Sequence, residues 1–264
     1  MLKRSSYLFL LIIIFISCSK DGGNPINLFS IQDDIALGQQ VNQEILNDPQ
    51  QFPILSETQY PDAYQHLNRI KNTILNSGQI RYRDEFVWDV KIIENDSVLN
   101  AFALPGGYSY VYTGLIKYLD SEDHFAGVLG HEFAHADRRH STNQLTKTYG
   151  ISVLLSVVLG NDPGALAEIA AALVSLRFSR DNESDADMFS VKYLCPTEYK
   201  ANGAAGFFQK IIDQGQSAPI PEFLSTHPNP DNRVEEINNA AIGLACTGTA
   251  ENITLYDQFK ASLP

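Results

Sequence analysis

The sequence predicts a mostly helical α+β domain with one small β-sheet, and three observations carry that expectation. Apolar residues recur at helical spacing through most of the chain. One run, residues 86–93, is instead rich in β-formers. Two short segments, 101–104 and 108–112, flank Pro105-Gly106-Gly107 and read as a hairpin or an irregular edge pair.

The elements follow in order. Residues 31–47 carry Ile35, Leu37, Val41, Ile45 and Leu46 at helical spacing, and Pro49 stops the run. Residues 62–77 repeat the pattern with Tyr64, Leu67, Ile70, Ile74 and Leu75, with Asp62 as the expected cap and Gly78 as the end. After the strand and the hairpin comes a helix over 122–139. Two apolar runs, 148–159 and 166–176, are separated by Gly160-Asn161-Asp162-Pro163-Gly164; they read as a helical hairpin, each arm too short for a membrane span. Further helices are expected over 183–193, ended by Pro196, over 203–213, and over 230–241 with Pro230 in its first turn.

The chain divides into three parts. Lys3 and Arg4 precede an apolar run over 7–16, the layout of a signal peptide covering 1–17. Ser17-Cys18 at its end resembles a bacterial lipobox, with Phe15 in place of the usual aliphatic residue, so Cys18 is the expected lipidation site. Residues 18–30 read as the lipidated Cys and a flexible tether, and 31–264 as one domain. The expected address is the bacterial cell envelope: an outer-membrane-anchored lipoprotein facing the periplasm or the cell surface. The formal net charge of −12 over 264 residues becomes more negative once Lys3 and Arg4 are removed. Such a body argues against nucleic acid and anionic membrane surfaces as partners. In an oxidising compartment Cys195 and Cys246 either pair or remain buried free thiols.

His131-Glu132-Phe133-Ala134-His135 is the stretch that carries chemistry. On a helix, residues four apart share a face, so His131 and His135 can offer two imidazole nitrogens to one zinc ion. Glu132, beside them, can act as the base toward a water on that ion. The preceding run, 125–130, is mostly apolar and predicts a buried helix, where two His and a Glu need a partner such as a metal. A catalytic zinc usually takes a third protein ligand. His140 is rejected, because on a continuous helix it points roughly 140° away from His135. Glu183 is the better candidate, with Asp187 one turn further on the same face to accept the outer N–H of a ligating histidine, His131.

His131-Glu132-x-x-His135 followed by Glu183-x-x-x-Asp187 resembles the HtpX-like and CAAX-prenyl-protease-like zinc metallopeptidases, peptidase family M forty-eight. The stretch 100–107, Asn-Ala-Phe-Ala-Leu-Pro-Gly-Gly, resembles the segment before that family's metal helix, and Ser225-Thr226-His227-Pro228 with Arg233 resembles its late His-Pro motif. The resemblance implies a zincin-like zinc endopeptidase of the gluzincin type, with one zinc per chain. It implies an exposed edge strand that holds an extended polypeptide substrate through Asn100, Ala101, Phe102 and Ala103. His227 is assigned to stabilising the tetrahedral oxyanion, with a fourth ligand that plugs the site as the competing role. Arg233 either anchors the His227 loop or holds a substrate carboxylate. Misfolded or misassembled envelope proteins are the implied substrates, and envelope assembly machinery the implied partner. A chaperone-like or binding lipoprotein with a plugged, weakly active zinc site is the alternative.

Overall fold

Ser30 opens the first helix by a reciprocal cap. Its hydroxyl accepts from the Asp33 N–H at 3.1 Å, and the Asp33 carboxylate accepts from the Ser30 N–H at 2.8 Å. Helix α1 (Ile31–Leu46) buries Leu37, Val41 and Ile45, the stripe set by the sequence periodicity. A computed structural model describes residues 29–215, 222–228 and 232–264. The leader 1–17, Cys18 and the tether up to residue 28 lie outside the described residues. Helix α2 (Pro61–Leu75) begins on proline with Tyr60 as its N-cap, so Asp62 lies in the first turn instead of capping it.

Strand β1 (Asp89–Ile93) is shorter than the β-rich run expected over 86–93. Trp88 takes a left-handed φ of 51°, which breaks the strand before it. Its indole N–H donates to the Tyr82 carbonyl at 3.1 Å, and its ring packs 5.0 Å from Phe133. Strand β2 (Ala101–Ala103), a 3-10 turn at Pro105–Gly107 and strand β3 (Tyr108–Tyr112) form the expected hairpin. The sheet order is β1-β3-β2, with β3 parallel to β1 and antiparallel to β2. Strand β2 is therefore an edge strand, and Phe102 pairs across to Tyr110 with the two rings stacked at 4.9 Å.

The rest is helical: α3 (Thr113–Tyr118), α4 (Glu122–Asp137), α5 (His140–Tyr149), α6 (Ile151–Val158), α7 (Pro163–Val174), α8 (Arg180–Leu194), α9 (Gly203–Gln214), α10 (Phe223–Thr226), α11 (Arg233–Gly243) and α12 (Ile253–Ala261). Helix α12 has no counterpart in the sequence reading. Its Tyr256 and Phe259 nevertheless complete the core against Phe125. The fold is mostly helical with a small mixed sheet, as expected. Helices α6 and α7 meet at a 111° bend, and among the described residues no single helix is long and apolar enough to cross a membrane.

Helix α4 runs through the centre, packed on α8, α9 and β2. Two glycines permit that packing. A Cβ at Gly127 would collide with the Ala204 backbone of α9. At Gly130 it would come 2.9 Å from Ser190 Oγ of α8, whose hydroxyl donates to the Gly127 carbonyl at 2.7 Å. Helix α4 ends earlier than expected, because Arg139 adopts a left-handed φ of 61°. That conformation is held by ion pairing of its guanidinium to buried Asp34 and by donation to the Phe29 carbonyl. The continuous-helix premise used for His140 therefore fails: His140 opens α5 and turns back toward α4.

Cys195, at the end of α8, is disulfide-bonded to Cys246, just beyond α11, with a sequence separation of 51. In the chain-entropy treatment a loop of that length stabilises the fold by about 4 kcal/mol. The C195S/C246S double variant is expected to lose stability of that order in denaturant titration, with the loss absent when both proteins are compared under reducing conditions.

Candidate metal centre

Two helices bring the site together. Helix α4 supplies His131 and His135 from one face, and α8 supplies Glu183 from its first turn, where Ser179 caps the helix by accepting from the Asn182 N–H. The Nε2 atoms of His131 and His135 are 3.0 Å apart. Glu183 Oε2 is 3.4 Å from His131 Nε2, and its Oε1 is 3.4 Å from His135 Nε2. His227, just after α10, brings Nδ1 to 3.2 Å from His131 Nε2 and 3.1 Å from Glu183 Oε1. The four residues offer ligand atoms that all lie within 4.8 Å of one another, and all four are buried.

That geometry fits zinc. A tetrahedral ion with nitrogen and oxygen donors at about 2.0–2.1 Å implies donor–donor edges of roughly 3.3 Å. Charge agrees. The buried carboxylates Glu132, Glu183 and Asp187 meet one buried guanidinium, Arg233. Fully ionised, they leave an excess of negative charge that a divalent cation balances. Neither Glu132 oxygen has a hydrogen-bond partner among the described residues, although His227 Nε2 stands 3.4 Å from its Oε1. A fully buried carboxyl with no partner is costly unless a ligand or reactant meets it.

The electrostatics follow from burial and neighbours. Burial works against the Glu183 carboxylate, but His227, His131 and His135 around it hold it ionised, far below the ordinary range. Burial alone would lower His131, yet hydrogen bonds to Asp187 and Glu183 carry it up to about 9. The same negative field favours a divalent ion in competition with that proton. Burial drives His135 well below its ordinary value, leaving a neutral imidazole with a free lone pair. Burial also pushes the Glu132 carboxyl up.

An outer layer holds the inner one. His131 Nδ1 is 2.8 Å from Asp187 Oδ1, the contact anticipated for Asp187. Arg233 Nη2 donates to Asp187 Oδ1 at 2.8 Å and lies 3.0 Å from Glu183 Oε2, out of line for a hydrogen bond. The guanidinium also stacks 4.1 Å from the Phe208 ring. Arg233 is thus buried and engaged inside the site, with no exposed face for a substrate carboxylate. The edge strand is likewise covered. Asn100, Ala101, Phe102 and Ala103 are all buried, where the sequence reading expects an exposed edge. The Leu99 carbonyl accepts from the Phe223 N–H of α10 at 3.0 Å, and the Ala103 carbonyl from Ser141 Oγ at 3.4 Å. The segment carrying His227 therefore lies over both the metal ligands and the start of the strand.

The model of peptidase family M48 matches residues 61–241, more than half of the chain. The chain belongs to peptidase family M48. Similar M48 proteins include a beta-barrel assembly-enhancing protease of Yersinia pestis, 30% identical over 197 residues, which cover 69% of this chain and 39% of that protein. The protein of the same name in Escherichia coli K12 is 29% identical over 164 residues, covering 57% of this chain and 34% of its own length. The mitochondrial metalloendopeptidase OMA1 of Arabidopsis thaliana is 31% identical over 156 residues, covering 59% of this chain and 32% of its own. The chain thus spans about a third to two fifths of the length of these relatives. The cofactor of an M48 site is zinc, and the buried His/Glu group here suits it.

Sequence reasoning about this M48 centre missed one cluster. His140 Nδ1 lies 3.1 Å from His135 Nδ1, and His140 Nε2 lies 3.2 Å from Asp185 Oδ2. The only signal is Arg138-Arg139-His140 directly after the motif helix, a stretch that helical periodicity alone treats as the helix's own end. Substituting an inner residue should abolish the site. Metal analysis is expected to find one zinc per chain in the wild type and none in His135→Ala or Glu183→Ala, with the helical circular dichroism retained in both variants.

Proposed function

We propose that the chain is a zinc-dependent endopeptidase in which His131, His135 and Glu183 hold the ion and Glu132 is the general base. The observation that carries this reading is the buried cluster of four donors within 4.8 Å of one another, with an unpartnered, fully buried Glu132 directly beside it. When bound, zinc supplies a Lewis acid that polarises a carbonyl and acidifies a water, with a pKa brought toward about 7. The protein's own residues do the rest. Glu132, its carboxyl raised by burial, takes the proton from the attacking water and returns it to the leaving amine. Asp187 and Arg233 keep the His131 ring in one orientation and counter the Glu183 charge. Strand β2, as a sheet edge, offers main-chain groups to an extended peptide once the cover over it moves.

His227 favours its competing role over oxyanion stabilisation. Its Nδ1 stands at the corner where a fourth ligand would stand, and its Nε2 faces Glu132. These contacts support reading the protein as a plugged, latent peptidase, and the same feature supports the second reading, a binding or chaperone-like lipoprotein of weak activity. The M48 relatives named for beta-barrel assembly, together with the signal-like leader and the lipobox-like Cys18, support envelope proteins as substrates and assembly machinery as a partner. They also support an outer-membrane lipoprotein facing the periplasm or the cell surface.

Two measurements test the mechanism. Glu132→Gln should retain one zinc but lose casein cleavage by about 10²–10⁴-fold, the usual worth of a general base, and a chelator should silence the wild type to background. Full turnover by the Gln variant would remove the base assignment. His227→Ala should raise the initial cleavage rate with zinc retained; a fall in rate at constant zinc would return His227 to the oxyanion role.

A further inference from the structure

Helix α4 is cut short at Arg139, and the break aims His140 at the back of a metal-facing histidine. Each ring nitrogen in that contact has one self-consistent protonation. His135 Nε2 faces His131 Nε2 at 3.0 Å and Glu183 Oε1 at 3.4 Å, so Nε2 must offer its lone pair to a metal. The neutral ring then carries its proton on Nδ1, which donates across 3.1 Å to His140 Nδ1. His140 Nδ1 must accept, so its own proton is on Nε2. The acceptor there is Asp185 Oδ2, 3.2 Å away. Arg138 Nε donates to the same Oδ2 at 2.7 Å, and its guanidinium rests 4.1 Å from the Phe189 ring, which fixes the carboxylate in place. Phe178 stacks on the His135 ring at 3.8 Å and closes that side.

We infer that His140 and Asp185 are positioning residues that hold His135 in its metal-binding tautomer and orientation, through the chain Asp185, His140, His135. The inference rests on reading His131, His135 and Glu183 as zinc ligands. It gives His135 the counterpart of what Asp187 gives His131, with a histidine interposed between ligand and carboxylate. Asp185 lies on the partly exposed side of α8 and meets the buried His140, which in turn meets His135. Arg139 makes the arrangement possible. Its left-handed backbone, anchored to Asp34 on α1, turns the chain so that the residue after it faces inward. The metal centre is thereby tied to α1 through a single residue step.

The test compares zinc affinity by chelator competition, and the visible spectrum after cobalt substitution, in wild type, His140→Leu, His140→Asn and Asp185→Ala. Circular dichroism and thermal unfolding with chelator present control for folding. His140→Leu keeps bulk but offers no acceptor; it is expected to weaken zinc about 10–100-fold and to shift the cobalt bands. His140→Asn places an amide oxygen near the Nδ1 position and should recover most of the affinity. Asp185→Ala should weaken zinc in the same direction by a smaller factor. Wild-type affinity and an unshifted cobalt spectrum in His140→Leu would overturn the inference. So would a His140→Asn variant no better than Leu, since the loss would then be one of packing. If His140→Leu fails to fold, unchanged affinity in Asp185→Ala overturns it alone. A parallel His135→Ala variant separates the two levels: if it bound zinc as tightly as wild type, the ligand reading itself would fall, and the relay with it.

Discussion

The close approach of α4 to α8 is the constraint on which the rest of this molecule depends. Zinc coordination tolerates errors of only a few tenths of an ångström, and three donors here come from two helices that share no turn. The helices reach that separation because α4 carries Gly127 and Gly130 where it meets α9 and α8, and because the Ser190 hydroxyl is spent on the Gly127 carbonyl. A side chain at either glycine would push one helix outward and move Glu183 relative to the imidazoles. The apolar residues of α4 then face inward all round, which makes it the axis of the fold, and the sheet, α9 and α12 assemble against it.

That burial creates an electrostatic problem, and the site is its solution. Ionised groups in a water-free interior cost several kcal/mol each unless paired. Glu183 and Asp187 are held ionised by surrounding histidines and by Arg233, at the expense of raising His131. Burial pushes Glu132 the other way: His227, His131 and Arg233 stand near it, but neither of its oxygens accepts a hydrogen bond among the described residues. Two buried carboxylates, one on α4 and one on α8, thus acquire opposite character: Glu183 is held as an anion and Glu132 is pushed toward its protonated form. The difference arises from neighbours, since both side chains are equally buried.

Much of this was legible in the sequence because it rests on helical periodicity. His131, Glu132 and His135 are close in sequence, and Glu183 and Asp187 are one turn apart on a later helical run, so their faces follow from 3.6-residue spacing. The hairpin was legible from Pro105-Gly106-Gly107. What escaped depends on single backbone angles and on long-range burial. The truncation of β1 comes from the left-handed Trp88, a conformation no propensity assigns to tryptophan. The return of His140 toward the site comes from left-handed Arg139, stabilised by Asp34 more than a hundred residues earlier. Asn100 to Ala103 are covered by elements distant in sequence: Ser141 of α5 reaches Ala103, and a short helix, Phe223–Thr226, too brief to leave a periodic signal, reaches Leu99.

That short helix also couples two obstacles that would otherwise be independent. The Phe223 N–H is donated to the Leu99 carbonyl at the start of β2, and the Phe223 carbonyl accepts from the His227 N–H at 2.7 Å. The Phe223 ring stacks on His227 at 4.2 Å. One residue therefore grips the strand through its amide and the histidine through its carbonyl and ring. On the proposed reading, a peptide that added to β2 would take the hydrogen-bonding groups at that edge and so compete with Phe223 for Leu99. On the same reading, loss of that grip would free the residue whose carbonyl and ring hold His227 beside His131 and Glu183. In the proposed latent peptidase, peptide binding and release of His227 would thus be alternative uses of the same contacts, and an extended chain on the edge would favour the opened site by the difference in those contacts.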